Sequence, residues 1–358
     1  MVYYIRFLKS PRLQKQKTGS VAASALICIT TDLGDAFLSQ DVDLLVTLQL
    51  ADNEKAVCQA KLQWRGGKRE LPILLGPLPA SIAQQSMIMQ VTAHGSQAPS
   101  WDSLLDERNI PLVLSAWSTA FGGPQLAVAD KLIERRFSVN HGIELSIWEE
   151  TGNSIARHIW DAATASVMYL QQIIAGNQAP SNPVLHKLLR DERSSPLHVI
   201  ELGSGCGIFG IALANLLPQC SVLLTDLPEV EEIITKNIGA AHPADSSDIR
   251  YQPLDWEAEL PDNLFDSPSI DLILVSDCTY NADSLPALVS VLGRLVRLSP
   301  HAIILVALKR RHESESIFFD LMHSAGLQTL HLHRMELPSQ HDQFDEIELH
   351  CYGADTRQ

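Results

Sequence analysis

Two rhythms of apolar and polar residues divide the chain. Up to about residue 130 the apolar residues come in short runs, at 25–31, 42–50, 57–64, 71–75 and 86–93, and residues 3–8 alternate like a strand. Gly66-Gly67, Gly76-Pro77 and Pro79 are among the breaks between the runs. Runs of that length and spacing predict a β-rich region, with 110–120 readable as strand or helix. Trp64 and Trp117 are expected in its core, because aromatic rings mostly serve burial. Residues 137–149 alternate around Asn140-His141-Gly142, a hairpin signal. An apolar helix is expected at 162–174 and a loop at 177–183.

From residue 197 the pattern becomes regular. Strands at 197–202, 221–225, 250–253, 270–275 and 302–307 alternate with helices at 207–217, 229–238, 285–298 and 313–325. Such repetition implies a parallel sheet with right-handed crossovers. Two last strands, 328–334 and 345–352, read as an antiparallel hairpin and bring the sheet to seven strands. The expected fold class is α/β, a Rossmann-like sheet preceded by the β-rich region. Residues 1–130 and 131–358 are expected to be separable folding units, with the boundary between about 120 and 150.

Composition narrows the partners. The 358 residues carry a formal charge of -15, which disfavours nucleic acid and anionic membranes and attracts a basic substrate. No apolar run reaches the roughly 18 residues of a membrane helix. The six cysteines are scattered without a C-x-x-C pair, so neither a zinc ribbon nor a disulfide framework is expected. Arg6, Lys9, Arg12, Lys15 and Lys17, with no acid among the first 20 residues, raise a presequence, but no amphipathic helix follows. A cytoplasmic monomer, present also in the nucleus, is the expectation.

The chemistry concentrates between Val199 and Asp226. An apolar strand runs into Gly203, Gly205, Gly207 and Gly210, then a helix, then a second strand ending in Asp226. Glu201 stands just before the glycines. A dinucleotide site receives a pyrophosphate and has little use for a carboxylate there. A cationic, phosphate-free ligand with an amino-acid tail can use one, and S-adenosylmethionine fits that description. The glycines allow close approach of the backbone. Asp226 is placed to accept hydrogen bonds from ribose hydroxyls, or else to cap the helix that follows Pro228.

Five motifs in order carry a family resemblance: Ile159-Trp160-Asp161-Ala162-Ala163, Glu201-Leu-Gly-Ser-Gly-Cys-Gly207, Thr225-Asp226-Leu227, Leu254-Asp255-Trp256 and Asp277-Cys278-Thr279-Tyr280. Over roughly residues 137–352 the chain resembles the seven-strand S-adenosylmethionine-dependent methyltransferases, and within them the family-16 protein lysine methyltransferases. The resemblance implies that Glu201, Gly203, Ser204, Gly205, Gly207, Asp226, Leu227 and Ser276 surround the cofactor. It places Asp255 and Trp256 beside the adenine and Trp160-Asp161 at the methionine end. Trp160 and Trp256 are also readable as packing residues. Asp277 and Tyr280 form a D-x-x-Y that orients an acceptor amine, or a strand-end turn with a buried tyrosine. No metal is implied. The expected partner is a protein with a reactive lysine. A small-molecule amine or heterocycle, or a scaffold without catalysis, are the alternatives. The basic run Lys309-Arg310-Arg311-His312, on the acceptor side in this family, sits awkwardly with a cationic substrate.

Overall fold

The alternation near the amino terminus belongs to a strand that is buried on both faces. In β1 (Tyr3–Lys15), Tyr3, Ile5 and Phe7 enter one core while Tyr4 enters another, as the two-residue period of a strand requires. The basic residues of the first 20 positions thus lie on or beside a strand. The structure, a computed structural model, describes residues 2–17, 19–93, 101–105, 110–124, 127–140, 142–152, 154–176, 182–264, 269–311, 315–339 and 344–354. His141, His312 and residues 177–181 of the expected loop lie outside these.

The amino-terminal region continues with β2 (Val21–Thr30), β3 (Val42–Leu50), β4 (Ala56–Trp64), β5 (Leu71–Leu78), the single turn α1 (Ala80–Ala83) and β6 (Ser86–Thr92). Short strands follow: β7 (Asp102–Ser103), β8 (Val113–Leu114), β9 (Ala116–Ser118) and β10 (Phe121–Gly122). The hairpin β11 (Leu132–Asn140) and β12 (Ile143–Glu150) completes the region. One sheet has the order β5-β2-β1-β8 and the other β12-β11-β9-β6-β3-β4. Side chains from both, including Ile5, Ile27, Val46, Met89 and the fully buried Trp64, form one core.

The second half builds a different sheet. Its strands are β13 (Leu197–Leu202), β14 (Cys220–Asp226), β15 (Asp248–Pro253), β16 (Leu272–Ser276), β17 (Ile303–Lys309), β18 (Leu327–Pro338) and β19 (Phe344–Ala354). The order is β15-β14-β13-β16-β17-β19-β18. The first five pair in parallel, and β19 pairs antiparallel to both β17 and β18. The chain winds outward from β13 to β15, then returns to the other side of β13 at β16. Ligands in such sheets bind at the carboxyl ends of the strands beside this reversal.

Helices cover both faces. α6 (Leu285–Leu298) and α7 (Ser316–Ser324) pack on one face with Ile200, Ile273 and Ile304. On the other lie α2 (Asp161–Ala175), α3 (Pro183–Arg190), α4 (Ile208–Leu216) and α5 (Glu231–Ala240). Every residue of α2 from Asp161 to Gln171 is buried, since the helix sits between this sheet and the amino-terminal strands. That is why its sequence shows no continuous polar face. Val2, Tyr4, Leu114, Phe137 and Ile147 share a core with α2, Leu197 and Leu305. No helix among the described residues is long and apolar enough to cross a membrane.

Candidate active site

A cavity of about 460 Å³ opens where the sheet reverses direction. Four strand ends line it: Glu201 and the glycine turn Gly203 to Cys206 at the end of β13, Asp226 and Leu227 at the end of β14, Leu254 to Glu257 after β15, and Ser276, Asp277, Cys278 and Tyr280 at the end of β16. Residues that come from 155–163, just before and within α2, form a further wall that includes His158 and Trp160. Among the described lining residues six are carboxylates, Glu201, Asp226, Glu229, Asp255, Glu257 and Asp277, and none is lysine or arginine.

The glycine turn holds the first two strand ends together. Gly205 has a left-handed φ of 53°, and a Cβ there would lie 2.8 Å from the Ala156 carbonyl oxygen, so a side chain would push the 155–163 wall away. Its N–H donates to Asp226 Oδ2 at 2.7 Å. Gly210 is needed for a different reason. A Cβ would meet Glu201 Oε2 at 2.6 Å, where the Gly210 N–H now donates to that oxygen at 2.8 Å. Glu201 therefore faces the amino-terminal end of α4, a favourable place for negative charge. Burial nevertheless raises its pKa to about 8, and the nearby Asp226 adds to the rise. Gly203 also lines the cavity, whereas Gly207 does not; a Cβ on Gly207 would meet Ile211 and Leu224 side chains, a packing contact.

Asp226 accepts a second hydrogen bond, from the Leu227 N–H at 2.7 Å, and burial raises its pKa. Asp255 is exposed and accepts from the Glu257 N–H at 2.9 Å. Trp256 is half-buried, packed on the α6 side of the sheet and close to Gly203. The Ser204 and Ser276 hydroxyls are buried without a hydrogen-bond partner among the described residues. The site thus offers carboxylates, unpaired hydroxyls and an aromatic face, with no lysine or arginine among the described lining residues. This donor and acceptor set fits a cationic ligand bearing ribose hydroxyls and an adenine ring. It does not fit a phosphate.

Asp277 and Tyr280 diverge in environment. Tyr280 is 58% exposed at the mouth, so it does not fill a core. The Asp277 side chain is 7% exposed, and its backbone has a left-handed φ of 51°. Its Oδ2 accepts from the Ala162 N–H at 3.1 Å and its Oδ1 from the Lys309 N–H at 3.2 Å. Burial raises its pKa to about 7, with Arg311 pulling it down and Asp32 pushing it up.

The basic run is neutralised from within. Lys309 Nζ lies 2.8 Å from Asp161 and 2.9 Å from Asp345. Arg310 pairs with Glu348 at 2.9 Å, and Arg311 with Asp32 at 2.6 Å. The sequence reading missed Asp32 altogether, because nothing local marks it. The expectation that Asp161 lines the methionine end beside Trp160 is not met: Asp161 is fully buried outside the cavity lining, where it holds Tyr4 and Lys309.

Comparison with known proteins agrees with this geometry. The family model described as lysine methyltransferase matches residues 139–325, just over half of the chain. A UPF0665 family protein, C23C4.06c of Schizosaccharomyces pombe, is 29% identical over 328 residues, covering 88% of this chain and 91% of its own. Protein N-lysine methyltransferase METTL21A of Danio rerio is 30% identical over 54% of this chain and 78% of its own. EEF1A lysine methyltransferase 3 of Mus musculus is 33% identical over 51% of this chain and 69% of its own. With S-adenosylmethionine as its cofactor, the chain belongs to the lysine methyltransferase family.

Proposed function

We propose that the cavity joins a cofactor compartment, between β13, β14 and β15, to an acceptor end at Tyr280, and that the acceptor is a lysine side chain of a protein. The observation that carries this reading is the lining itself: six acidic side chains and no lysine or arginine among the described residues around an open mouth. A cationic side chain is drawn to such a field, and an anionic one is repelled.

In this reading Asp226 accepts from the ribose hydroxyls with the lone pairs its backbone contacts leave free. Asp255 and Trp256 receive the adenine, one by hydrogen bonding and one by its ring face. Glu201, Trp160 and the Ser204 and Ser276 hydroxyls surround the methionine end, with Gly203, Gly205 and Leu227 shaping the walls. The bound cofactor supplies an electrophilic methyl group on a sulfonium sulfur.

The chain's own residues orient the acceptor. A free lysine has a pKa near 10.4, so it arrives as the ammonium and must lose a proton before its lone pair can act. Each Asp277 oxygen accepts one backbone N–H and retains a second lone pair for an amine hydrogen. The Tyr280 hydroxyl stands at the mouth with solvent access, where the released proton can leave. Holding the amine in line accounts for most of what the site must do. The Rossmann-like character of the sheet, with its carboxyl-terminal hairpin, belongs to the same reading.

The test is incubation of the full chain with tritiated S-adenosylmethionine and lysate from cells lacking this protein. Label in methyl-lysine after acid hydrolysis of the protein fraction supports the reading. Label confined to small molecules overturns the protein acceptor.

A further inference from the structure

A guanidinium from the end of β17 lies between a carboxylate of the amino-terminal region and the cavity wall. Asp32 stands just after β2 and is 2% exposed. Arg311 Nη2 and Nη1 donate to its Oδ2 and Oδ1 at 2.6 Å and 3.2 Å, a two-pronged pair. The same Nη2 is 3.6 Å from Asp277 Oδ2. The Arg311 guanidinium also lies 5.3 Å from the centroid of the Trp160 ring. One side chain therefore touches two lining residues of the cavity and is fixed by a residue far away in sequence.

Asp32 is itself locked. It accepts from the Leu33 N–H at 2.8 Å and from the Asp161 N–H at 3.2 Å, and its carbonyl accepts from Arg6 at 3.0 Å. Hydrogen bonding and the charges of Arg311 and Lys309 hold its carboxyl below the usual range against the upward push of burial. Among the described residues, the charged groups around Asp277 are Lys309 at the end of β17 and Arg311 just beyond it, Asp32 after β2 and Asp161 at the start of α2, with the Cys278 thiol beside it. The Lys309 ammonium is taken by Asp161 and Asp345. Arg311 is thus the cation that Asp32 and Asp277 share.

We propose that Asp32 is a positioning residue for the acceptor end: by holding Arg311 in a two-pronged pair it keeps the guanidinium from closing on Asp277 and sets the charge and orientation of that carboxyl. This rests on the reading of Asp277 as part of the acceptor end. The amino-terminal sheet then acts directly on the site.

The two partners predict opposite effects. In Asp32→Asn, Arg311 loses its charged partner and turns to Asp277, so the Asp277 titration midpoint falls. In Arg311→Gln, the shared guanidinium is gone and the midpoint rises. Asp32→Glu keeps the charge and leaves the midpoint near the parent value. The midpoint is read by NMR on the full chain labelled with ¹³Cγ-aspartate, with the Asp277 signal assigned by its loss in Asp277→Asn. S-adenosylhomocysteine affinity, by calorimetry, establishes that each variant is folded. If Asp32→Asn does not fold, the rise in Arg311→Gln and the unmoved midpoint in Asp32→Glu still test the relation. Opposed shifts support the proposal. Midpoints that do not move in Asp32→Asn and Arg311→Gln, or that move the same way in both, overturn it. Tritium transfer on the same proteins tests the acceptor reading separately: a parent chain that transfers nothing yet shows opposed shifts overturns that reading and leaves the Asp32 relation standing.

Discussion

The Tyr4 hydroxyl donates a 2.9 Å hydrogen bond to Asp161 Oδ1, joining the first strand to the first turn of α2 across 157 residues. Asp161 also holds Lys309, which ends the strand next to Asp277. The amino-terminal sheet and the cavity wall are therefore parts of one buried charge network. Burial and the neighbouring Asp32 raise the Asp161 pKa to about 6, even with the Lys309 ammonium beside it.

That network bears on truncation. A boundary between about 120 and 150 predicts an autonomous fragment beginning at Leu132. The shared core predicts the opposite, because removing β1 and β8 uncovers α2 and leaves Asp161 without Tyr4. Expression from Leu132 is expected to give insoluble protein, or a chain that melts well below the parent. A soluble fragment with parent-like S-adenosylhomocysteine affinity would establish the two regions as independent.

Asp226→Ala is expected to weaken S-adenosylmethionine binding by about 1–3 kcal/mol, the range for hydrogen bonds to a charged group. Calorimetry measures this directly. Unchanged affinity would remove the ribose assignment, and an NAD affinity equal to that for S-adenosylmethionine would remove the cofactor compartment as drawn.

Asp277→Asn is expected to lower methyl transfer by about a hundredfold, the cost of misplacing reactants by roughly 1 Å, while cofactor affinity stays within about threefold. Asparagine is the informative replacement, since it tolerates the left-handed backbone at this position better than alanine. Tyr280→Phe should have a smaller effect, because the ring remains. Binding and turnover measured on the same preparations decide the matter: parallel loss in Asp277→Asn would make it a cofactor or structural residue.

Stability of the ligand-free protein should fall as pH rises. Glu201 has a folded pKa raised from 4.5 to about 8, chiefly by burial, so the folded state holds a proton that the unfolded chain gives up. Its contribution is full below about pH 4.5 and is lost as pH rises through about 8. Asp277 adds a similar loss between 3.8 and about 7. Melting temperature against pH should therefore slope downward across this range, and Glu201→Gln should flatten it. An identical slope in the variant would show that Glu201 is already ionised at neutral pH.

Much of this protein is written locally. The strand–helix alternation after residue 197, the glycine turn and the acids at four strand ends are legible because apolar period and turn chemistry act within a few residues. Where the chain reverses in the sheet follows from topology, and that places Glu201, Asp226, Asp255 and Asp277 around one cavity. What only the tertiary structure decided is which charges meet. Lys309 and Arg311 look out of place beside a cationic substrate until Asp161 and Asp32 are seen against them. Likewise, a buried strand-end Tyr280 stays open as an alternative to the acceptor role until its exposure is known. Ion pairs between residues far apart in the chain leave no periodic signal, because they depend on how separate sheets pack and not on the order of neighbouring residues. The sequence determined the elements and the chemistry at their ends; packing of the amino-terminal sheet against α2 determined the electrostatic setting in which that chemistry works.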